Sequence, residues 1–349
     1  MTALCATLDL ISIQPAHRTN TFLPTPMKKL RIASFQLEST PGDKSSNLAK
    51  VQDLAARAVA QGAEVLVFPE LCTTGYWHLL GLSEPELRAL AEPVPSGPSS
   101  QALISIARQH QVTVGAGIIE AGPDGRMFNA YLVALPDGRT HCHRKLHSFE
   151  SDHLSSGSEF TVFDTPYGWK FGVLICYDCN LVENTRIARL MGTQLLLAPH
   201  QTGGCDYKKN KNIMGLIDRA VWDRRHEDPA AIEAEFRGQK GRGWITTWLP
   251  ARAHDNGMFI AFSNGVGVDG DEIRTGNAMI LDPFGRILVE TWKAADDFVI
   301  ADLDPALLQG TLGDMFLRTR RPELYQALLE KIGGETDMRT ARFDEAYHS

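Results

Sequence analysis

The chain predicts a layered α/β fold packed as one domain, on three observations. Helical stripes alternate with short strand-like runs through the first half. The most apolar of those runs have no polar face, as strands buried on both sides do. The second half is rich in strands and tight turns. Residues 30–36 (Leu-Arg-Ile-Ala-Ser-Phe-Gln) open the series as a β-rich run. Over residues 47–61, Leu48, Val51, Ala55 and Ala58 share one helical stripe, and Gly62 stands where a C-terminal cap belongs. Residues 64–68 (Glu-Val-Leu-Val-Phe) make a short, buried central strand. A helix over 101–109 precedes strands at 112–119 and 131–135, the latter ended by Pro136-Asp137-Gly138, and residues 139–143 read as another strand. A strand at 171–175 leads into Cys176, followed by a helix over 184–191 and a strand at 194–198. Strands at 258–263, 278–281, 287–290 and 298–301 complete the series, with turns around Asp269-Gly270 and at Asp282-Pro283-Phe284-Gly285.

With 349 residues, 43% of them hydrophobic and 22% charged, the chain can bury a large core. Its 35 Lys and Arg against 42 Asp and Glu leave a net charge of −7, which argues against a nucleic-acid partner. No apolar run approaches the roughly 18–20 residues of a membrane span, so no membrane partner is expected. Residues 1–27 read as a poorly ordered N-terminal extension. Its apolar patch (Leu8, Leu10, Ile11) lacks a preceding basic residue and a small-residue cleavage site, unlike a secretory signal. Six cysteines are too few for a disulfide scaffold at this length; they predict reduced thiols and a cytoplasmic protein. Residues 205–245 break the alternation with many charges, among them Lys208, Lys209, Lys211, Arg219, Asp223, Arg224 and Arg225. Within them Asp228-Pro229 reads as an N-cap and first-turn proline, with Ile232 and Phe236 four apart. The segment is expected to be a helical excursion on the surface, either a solvated decoration or a lid or subunit contact.

Three reactive residue types end predicted strands, where α/β folds put their sites. Glu70 follows the buried strand in Phe68-Pro69-Glu70; a half-buried acid there has a raised pKa suited to general-base work, the bland alternative being a turn carboxylate. Lys145 follows the run at 139–143; alone it would be a solvated surface lysine. Cys176 sits on a strand-to-helix turn, where helix N-terminal amides favour thiolate and backbone N–H groups can hold an oxyanion. Its bland alternative is an inert buried cysteine. Cys176-Tyr177-Asp178-Cys179 is also a C-x-x-C, the pattern of a redox dithiol, although mid-chain. His141, Cys142, His143 and His147 lack a second ligand cluster at matching spacing, and no metal or cofactor is expected.

Taken together, the three sites resemble the Glu–Lys–Cys triad of the nitrilase superfamily, the carbon–nitrogen hydrolases. The resemblance runs from residue 28 to about 325 and rests on ordered blocks. They are Arg31-Ile32-Ala33-Ser34-Phe35-Gln36; Phe68-Pro69-Glu70 with Thr74-Gly75-Tyr76; Arg144-Lys145 with His147; and Val173-Leu174-Ile175-Cys176-Tyr177-Asp178 with Glu183 and Arg186. Downstream, Arg252-Ala253, Asp255-Asn256, Asn264, Gly276, Asp282-Pro283-Phe284-Gly285 and Arg320-Arg321-Pro322-Glu323-Leu324-Tyr325 keep the family order. The resemblance implies an α-β-β-α sandwich over 28–325, a C-terminal tail over 326–349, no metal, and a homodimer or larger homo-oligomer joined through the helical layer. It assigns Glu70, Lys145 and Cys176 as catalytic, and Glu150 as the family's second glutamate, although Leu154 and Ser156 depart from the Phe and Pro usual in that stretch. Tyr177, Asp178 and His200 are expected to support the site or bind substrate. Val182 stands where proline is common, and His200-Gln201-Thr202 where small residues are, which predicts a distinctive pocket.

The implied reaction is a two-step hydrolysis through a thioester. Glu70 takes the Cys176 proton, the oxyanion is held by Lys145 and the Tyr177 N–H, and Glu70 returns its proton to the leaving nitrogen. True nitrilases typically follow the cysteine with Trp-Glu; Tyr177-Asp178 resembles the amidase and carbamoyl-hydrolase branches and favours an amide or N-carbamoyl amine over a nitrile. An acidic small-molecule substrate would call for an Arg or Lys in the pocket. A silent binding protein of the same fold is disfavoured because all three triad positions carry the right residue types.

Overall fold

The computed structural model describes residues 26–205 and 214–343. The reading of residues 1–25 as an extension, Lys208, Lys209 and Lys211 of the excursion, and residues 344–349 of the tail lie outside the described residues. The first half runs β1 (Leu30–Leu37), α1 (Lys44–Val59), β2 (Val65–Val67), α2 (Glu84–Leu90), α3 (Pro98–His110), β3 (Thr113–Ala121), β4 (Met127–Ala134) and β5 (Thr140–Arg144). It continues with β6 (Thr161–Asp164), β7 (Lys170–Val173), α4 (Val182–Leu190) and β8 (Leu195–His200). Four helices follow: α5 (Arg219–Asp223), α6 (Pro229–Arg237), α7 (Arg242–Thr246) and α8 (Leu249–Asn256). The chain then forms β9 (Phe259–Asp269), β10 (Glu272–Thr275), β11 (Met279–Leu281), β12 (Ile287–Glu290), β13 (Asp297–Leu303), α9 (Leu312–Arg318) and α10 (Met338–Phe343).

Local chemistry sets the element ends. Asp43 accepts the Ser46 N–H at 2.9 Å and starts α1, whose buried stripe is Val51, Leu54, Ala55 and Ala58. The helix stops at Val59, and Gly62 turns the chain at φ 84°. Two runs of strands build two sheets. One orders β5-β4-β3-β2-β1 with β13 antiparallel to β1; the other orders β6-β7-β8-β9 with β11 and β12 beyond β9. The sheets meet where β1 pairs β9 for two residues, Gln36 with Asn264 and Leu37 with Gly265.

Alternation along β1 gives the layers. Leu30 and Ile32 point into a core between the sheets with Val65, Tyr131, Phe171, Leu195 and Phe259. Ala33, Phe35 and Leu37 face the other way, onto α1 and α3. On the second sheet, Leu196, Ala198, Ile260 and Phe262 turn outward to Ala188 of α4 and Leu249 and Ala253 of α8. The molecule is an α-β-β-α sandwich, as the resemblance implied.

The excursion is helical, as expected, and its Cys205, Met214 and Trp244 reach the cavity that holds Cys176. Ile217, Trp222, Ile232 and Phe236 pack with Val266 of β9 and Ile273 of β10 in a small core of their own. The segment is a buttress for the β9–β10 hairpin rather than a solvated decoration, because its apolar residues are buried against Val266 and Ile273.

Candidate active site

Glu70, Lys145 and Cys176 all leave strand ends on one side of the sheets, since β1, β2 and β3 run parallel, β5 runs with β3 across the antiparallel β4, β7, β8 and β9 run parallel, and β1 parallels β9. Glu70 lies three residues past β2, on a turn in which Leu71 takes φ 45°. The turn rests on the backbone of Gly117: the Gly117 N–H donates to Pro69 O at 3.2 Å, and the Gly117 carbonyl accepts the Thr73 hydroxyl at 2.9 Å. Lys145 follows β5 directly, and its N–H donates to Asn129 O at 2.8 Å. Cys176 stands at φ 51°, a left-handed conformation uncommon for a side chain with a Cβ, so its backbone is held strained by the turn around it.

The three side chains converge with Glu150. The Lys145 ammonium, completely buried, donates to Glu70 Oε1 at 2.8 Å and to Glu150 Oε1. Asn129 Nδ2 donates to the same Glu70 oxygen at 2.7 Å, while Glu70 Oε2 has no hydrogen-bond partner among the described residues. Glu150 Oε2 accepts from the Ser148 hydroxyl at 2.7 Å and the Phe149 N–H at 3.1 Å. Burial, reinforced by the Glu150 charge, raises the Glu70 carboxyl to about 7, although Lys145 and Asn129 pull the other way. Burial alone would lower the Lys145 ammonium; the two carboxylates reverse this and hold it well above the usual lysine range.

Cys176 corrects the expectation of a thiolate. Burial and then the Glu70 charge push its thiol above the ordinary range, outweighing Lys145 and the Gln201 backbone N–H that reaches the sulfur. The helix that follows is a single 3-10 turn, Cys176–Cys179, too short for its amides to offset burial. The Cys176 side chain rests as a neutral thiol.

Asp178 and His200 lie behind the cavity wall rather than on it. Asp178 does not line the cavity that holds Cys176. It is buried behind the site, accepting the Leu146 N–H at 3.0 Å, the His147 N–H at 3.0 Å and His147 Nδ1 at 2.8 Å, and so pins the lysine loop to the nucleophile turn. Burial alone would raise its pKa, but bonds from His143 and His147 keep it well below the usual carboxylate range. His200 is enclosed between Trp248 and Phe262, with Nδ1 2.8 Å from Ala198 O, and burial holds its pKa down to about 3. It packs as a neutral ring and is likewise off the cavity wall, because β8 turns it outward. Tyr177 does line the cavity, edge-on to Phe149. Cys179 does not; it lies in the helix-side core with its sulfur 3.4 Å from Leu174 O, which separates it from Cys176 and removes support for a dithiol. Cys72 is core, on the face toward α1 and α3. His141 stacks on Phe163, and His143 Nδ1 lies 3.1 Å from Thr161 Oγ1.

Sequence reasoning missed Asn129, Trp77 and Arg274, and it marked Gln201 only as part of a distinctive pocket segment. Asn129 was findable as the one amide in the apolar run Met-Phe-Asn-Ala-Tyr-Leu-Val-Ala of β4. Gln201 binds Glu70 O through Nε2 at 2.7 Å, a contact 131 residues apart that no local pattern announces.

The carbon–nitrogen hydrolase family model matches residues 31–311, spanning every element that carries the site except α10. The chain belongs to the carbon–nitrogen hydrolase family. An omega-amidase of Xenopus laevis is 34% identical, over 87% of this chain and 99% of its own. An (R)-stereoselective amidase of a Pseudomonas species is 28% identical, over 88% of this chain and 98% of its own. An amidase of Nesterenkonia from the nitrilase superfamily has the same fold, with TM-score 0.63 and 24% identity over 86% of this chain and 97% of its own. As a carbon–nitrogen hydrolase, the protein is an enzyme acting on small molecules.

Proposed function

We propose that the protein hydrolyses the carbon–nitrogen bond of a linear amide through a thioester on Cys176, releasing ammonia or an amine. The observation that carries this reading is the buried bridge of the Lys145 ammonium between the Glu70 and Glu150 carboxylates, close enough to Cys176 for all three charges to act on its thiol. Glu70, poised near 7, takes the thiol proton as the sulfur attacks the carbonyl carbon. Its unpartnered Oε2 is the oxygen available for that proton. The Lys145 ammonium and the Tyr177 backbone N–H hold the oxyanion. Collapse of the adduct breaks the C–N bond, and the proton on Glu70 goes to the departing nitrogen. Water then attacks the thioester with Glu70 as base, and the sulfur leaves as the thiol. Glu150 keeps the ammonium in place throughout.

Amides are preferred over nitriles because the similar enzymes are named amidases, and because Tyr177-Asp178 follows the nucleophile. An N-carbamoyl amine would follow the same course. We also place the enzyme in the cytoplasm, where the five described cysteines would stay unpaired as they are here. We take 28–325 as the hydrolase domain, 1–27 as an extension and 326–349 as a tail that reaches back to the site through Arg342. Homodimers or larger assemblies would form through the helical layer.

Ammonia release by the purified protein, measured across simple amides, N-carbamoyl amines and nitriles with Cys176→Ala alongside, tests the reading. Release from amides that vanishes in the variant, with the fold unchanged by circular dichroism, is the expected result. Residual activity within tenfold of wild type would overturn the nucleophile assignment.

A further inference from the structure

We propose that the C-terminal helix α10 is a lid on the active site, which opens on a glycine hinge to admit substrate and, when docked, holds the Phe149–Glu150 turn. The inference rests on the amide-hydrolase reading and goes beyond it, since α10 lies outside the residues 31–311 that match the family model. Cys176, 6% exposed, lies in a cavity whose described wall comes from residues 76–274 with one exception, Arg342 of α10. Three side chains carry α10 onto the loops of the site. Arg339 donates from Nη1 to the Phe149 carbonyl at 3.1 Å and pairs through Nε with Asp152. Its two contacts bracket Glu150, the carboxylate that holds the Lys145 ammonium. The Arg342 guanidinium carbon lies 5.1 Å from the centre of the Trp77 ring and 5.6 Å from that of Phe149, with Nη2 3.7 Å from Glu272 Oε1. Phe343 tilts against Trp77 with ring centres 6.2 Å apart.

What docks this helix is slight, and what joins it to the body is loose. With six residues, α10 is far shorter than the roughly 12–15 an isolated helix needs in water, so docking rather than propensity keeps it helical. Met338 is the one buried residue among the six. The Asp152 side chain that pairs with Arg339 is 67% exposed, and exposed ion pairs contribute little. Residues 326–337, which lead to α10, are exposed throughout and carry no helix or strand beyond one 3-10 turn, Gln326–Leu328. Within them Gly333 takes φ 87° and Gly334 follows, and a Cβ on either would meet nothing within 4 Å, so no neighbour restrains the pair. An element with few buried contacts on an exposed tether opens at small cost, and active-site lids are drawn from such elements. A tail that served stability alone would alter melting and leave access to Cys176 as it is.

Two thiol reagents of different size read the lid without turnover: iodoacetamide and the bulkier fluorescein maleimide, with the Cys176 peptide quantified by mass spectrometry. Deleting residues 338–349 should speed labelling of Cys176 by the maleimide at least tenfold, with a smaller change for iodoacetamide. Arg339→Ala, which covers a deletion that fails to fold, should move the same ratio in the same direction, and Arg339→Lys, which keeps the charge but loses the fork, should fall between. Cys72 and Cys179, both fully buried in the cores, serve as internal controls. Labelling of these as fast as Cys176 would mean general loosening and would overturn the lid. Unchanged maleimide rates in both the deletion and Arg339→Ala would overturn it too, and ammonia release that Cys176→Ala abolishes would leave the hydrolase intact. Faster maleimide labelling in the variants, with no ammonia released by wild type from any amide, would sink the hydrolase and keep the lid.

Discussion

At the residue scale, the site depends on opposed effects at Glu70. Burial lifts its carboxyl toward neutrality, and the ammonium of Lys145 with the amide of Asn129 restrains it. In the proposed reaction, a carboxyl near 7 faces a thiol pushed above its ordinary range, so the proton would move only as the sulfur attacks. The acid limb of kcat/KM should therefore rise with pH through about 7, as Glu70 loses its proton to solvent. That value belongs to the Glu70–Lys145–Glu150 cluster as a unit. Asn129 donates to the charged form, so Asn129→Ala should raise the pKa and move the limb to higher pH. A pH–rate profile of the variant checks this, and a midpoint that stays or falls would count against Glu70 as the titrating base.

At the element scale, the turn that carries Glu70 is positioned by close backbone packing as much as by side chains. Gly117 of β3 sits against the turn that presents Glu70. A Cβ built on it would lie 1.9 Å from Leu71 N and 2.6 Å from the Glu70 carbonyl carbon. Backbone cannot yield as a flexible side chain does, so Gly117→Ala must move the turn. It should destabilise by about 1–3 kcal/mol, as overpacking of an interior does, and should lower kcat more than a surface alanine elsewhere on the sheet. Thermal melts and single-substrate kinetics read the two effects separately; a wild-type kcat would mean that the turn does not need this contact. The β9–β10 hairpin, marked in the sequence only by Asp269-Gly270, gains its place through Trp77 and the buttress, both distant in the chain.

At the scale of the molecule, α8 packs between α4 and α9 and the three present one outer surface. Val182 and Leu190 of α4, Met191 just after it, and Leu312 and Met315 of α9 are 47–54% exposed, apolar side chains of the kind an interface covers. Sedimentation should therefore find a dimer or larger assembly at micromolar concentration. Leu190→Glu with Met315→Glu should shift it to monomer. A wild-type monomer under those conditions would remove the helical layer as an interface. Legibility differed across this scale for physical reasons. Strands β2 and β8 were readable because burial on both faces leaves an unbroken apolar run. Strand β6, four residues long, escaped notice because so short a run carries no clear period. Helix α8 also went unread although Pro250 begins it and Gly257 ends it in a left-handed cap, because it follows a charged stretch that masked both signals.

The amino-acid order by itself determined the layered α/β class and the strand-end locations of Glu70, Lys145 and Cys176, with Glu150 reached through the family pattern. Periodicity and turn chemistry act within a few residues, and a reactive residue type at a strand exit is a local signal. Only the tertiary structure decided that Cys176 rests as a thiol, that Asp178 and His200 stand off the cavity wall, and that Arg274 stands on it. Each of those depends on which distant groups share one buried space, because desolvation and neighbouring charge, rather than residue type, set protonation.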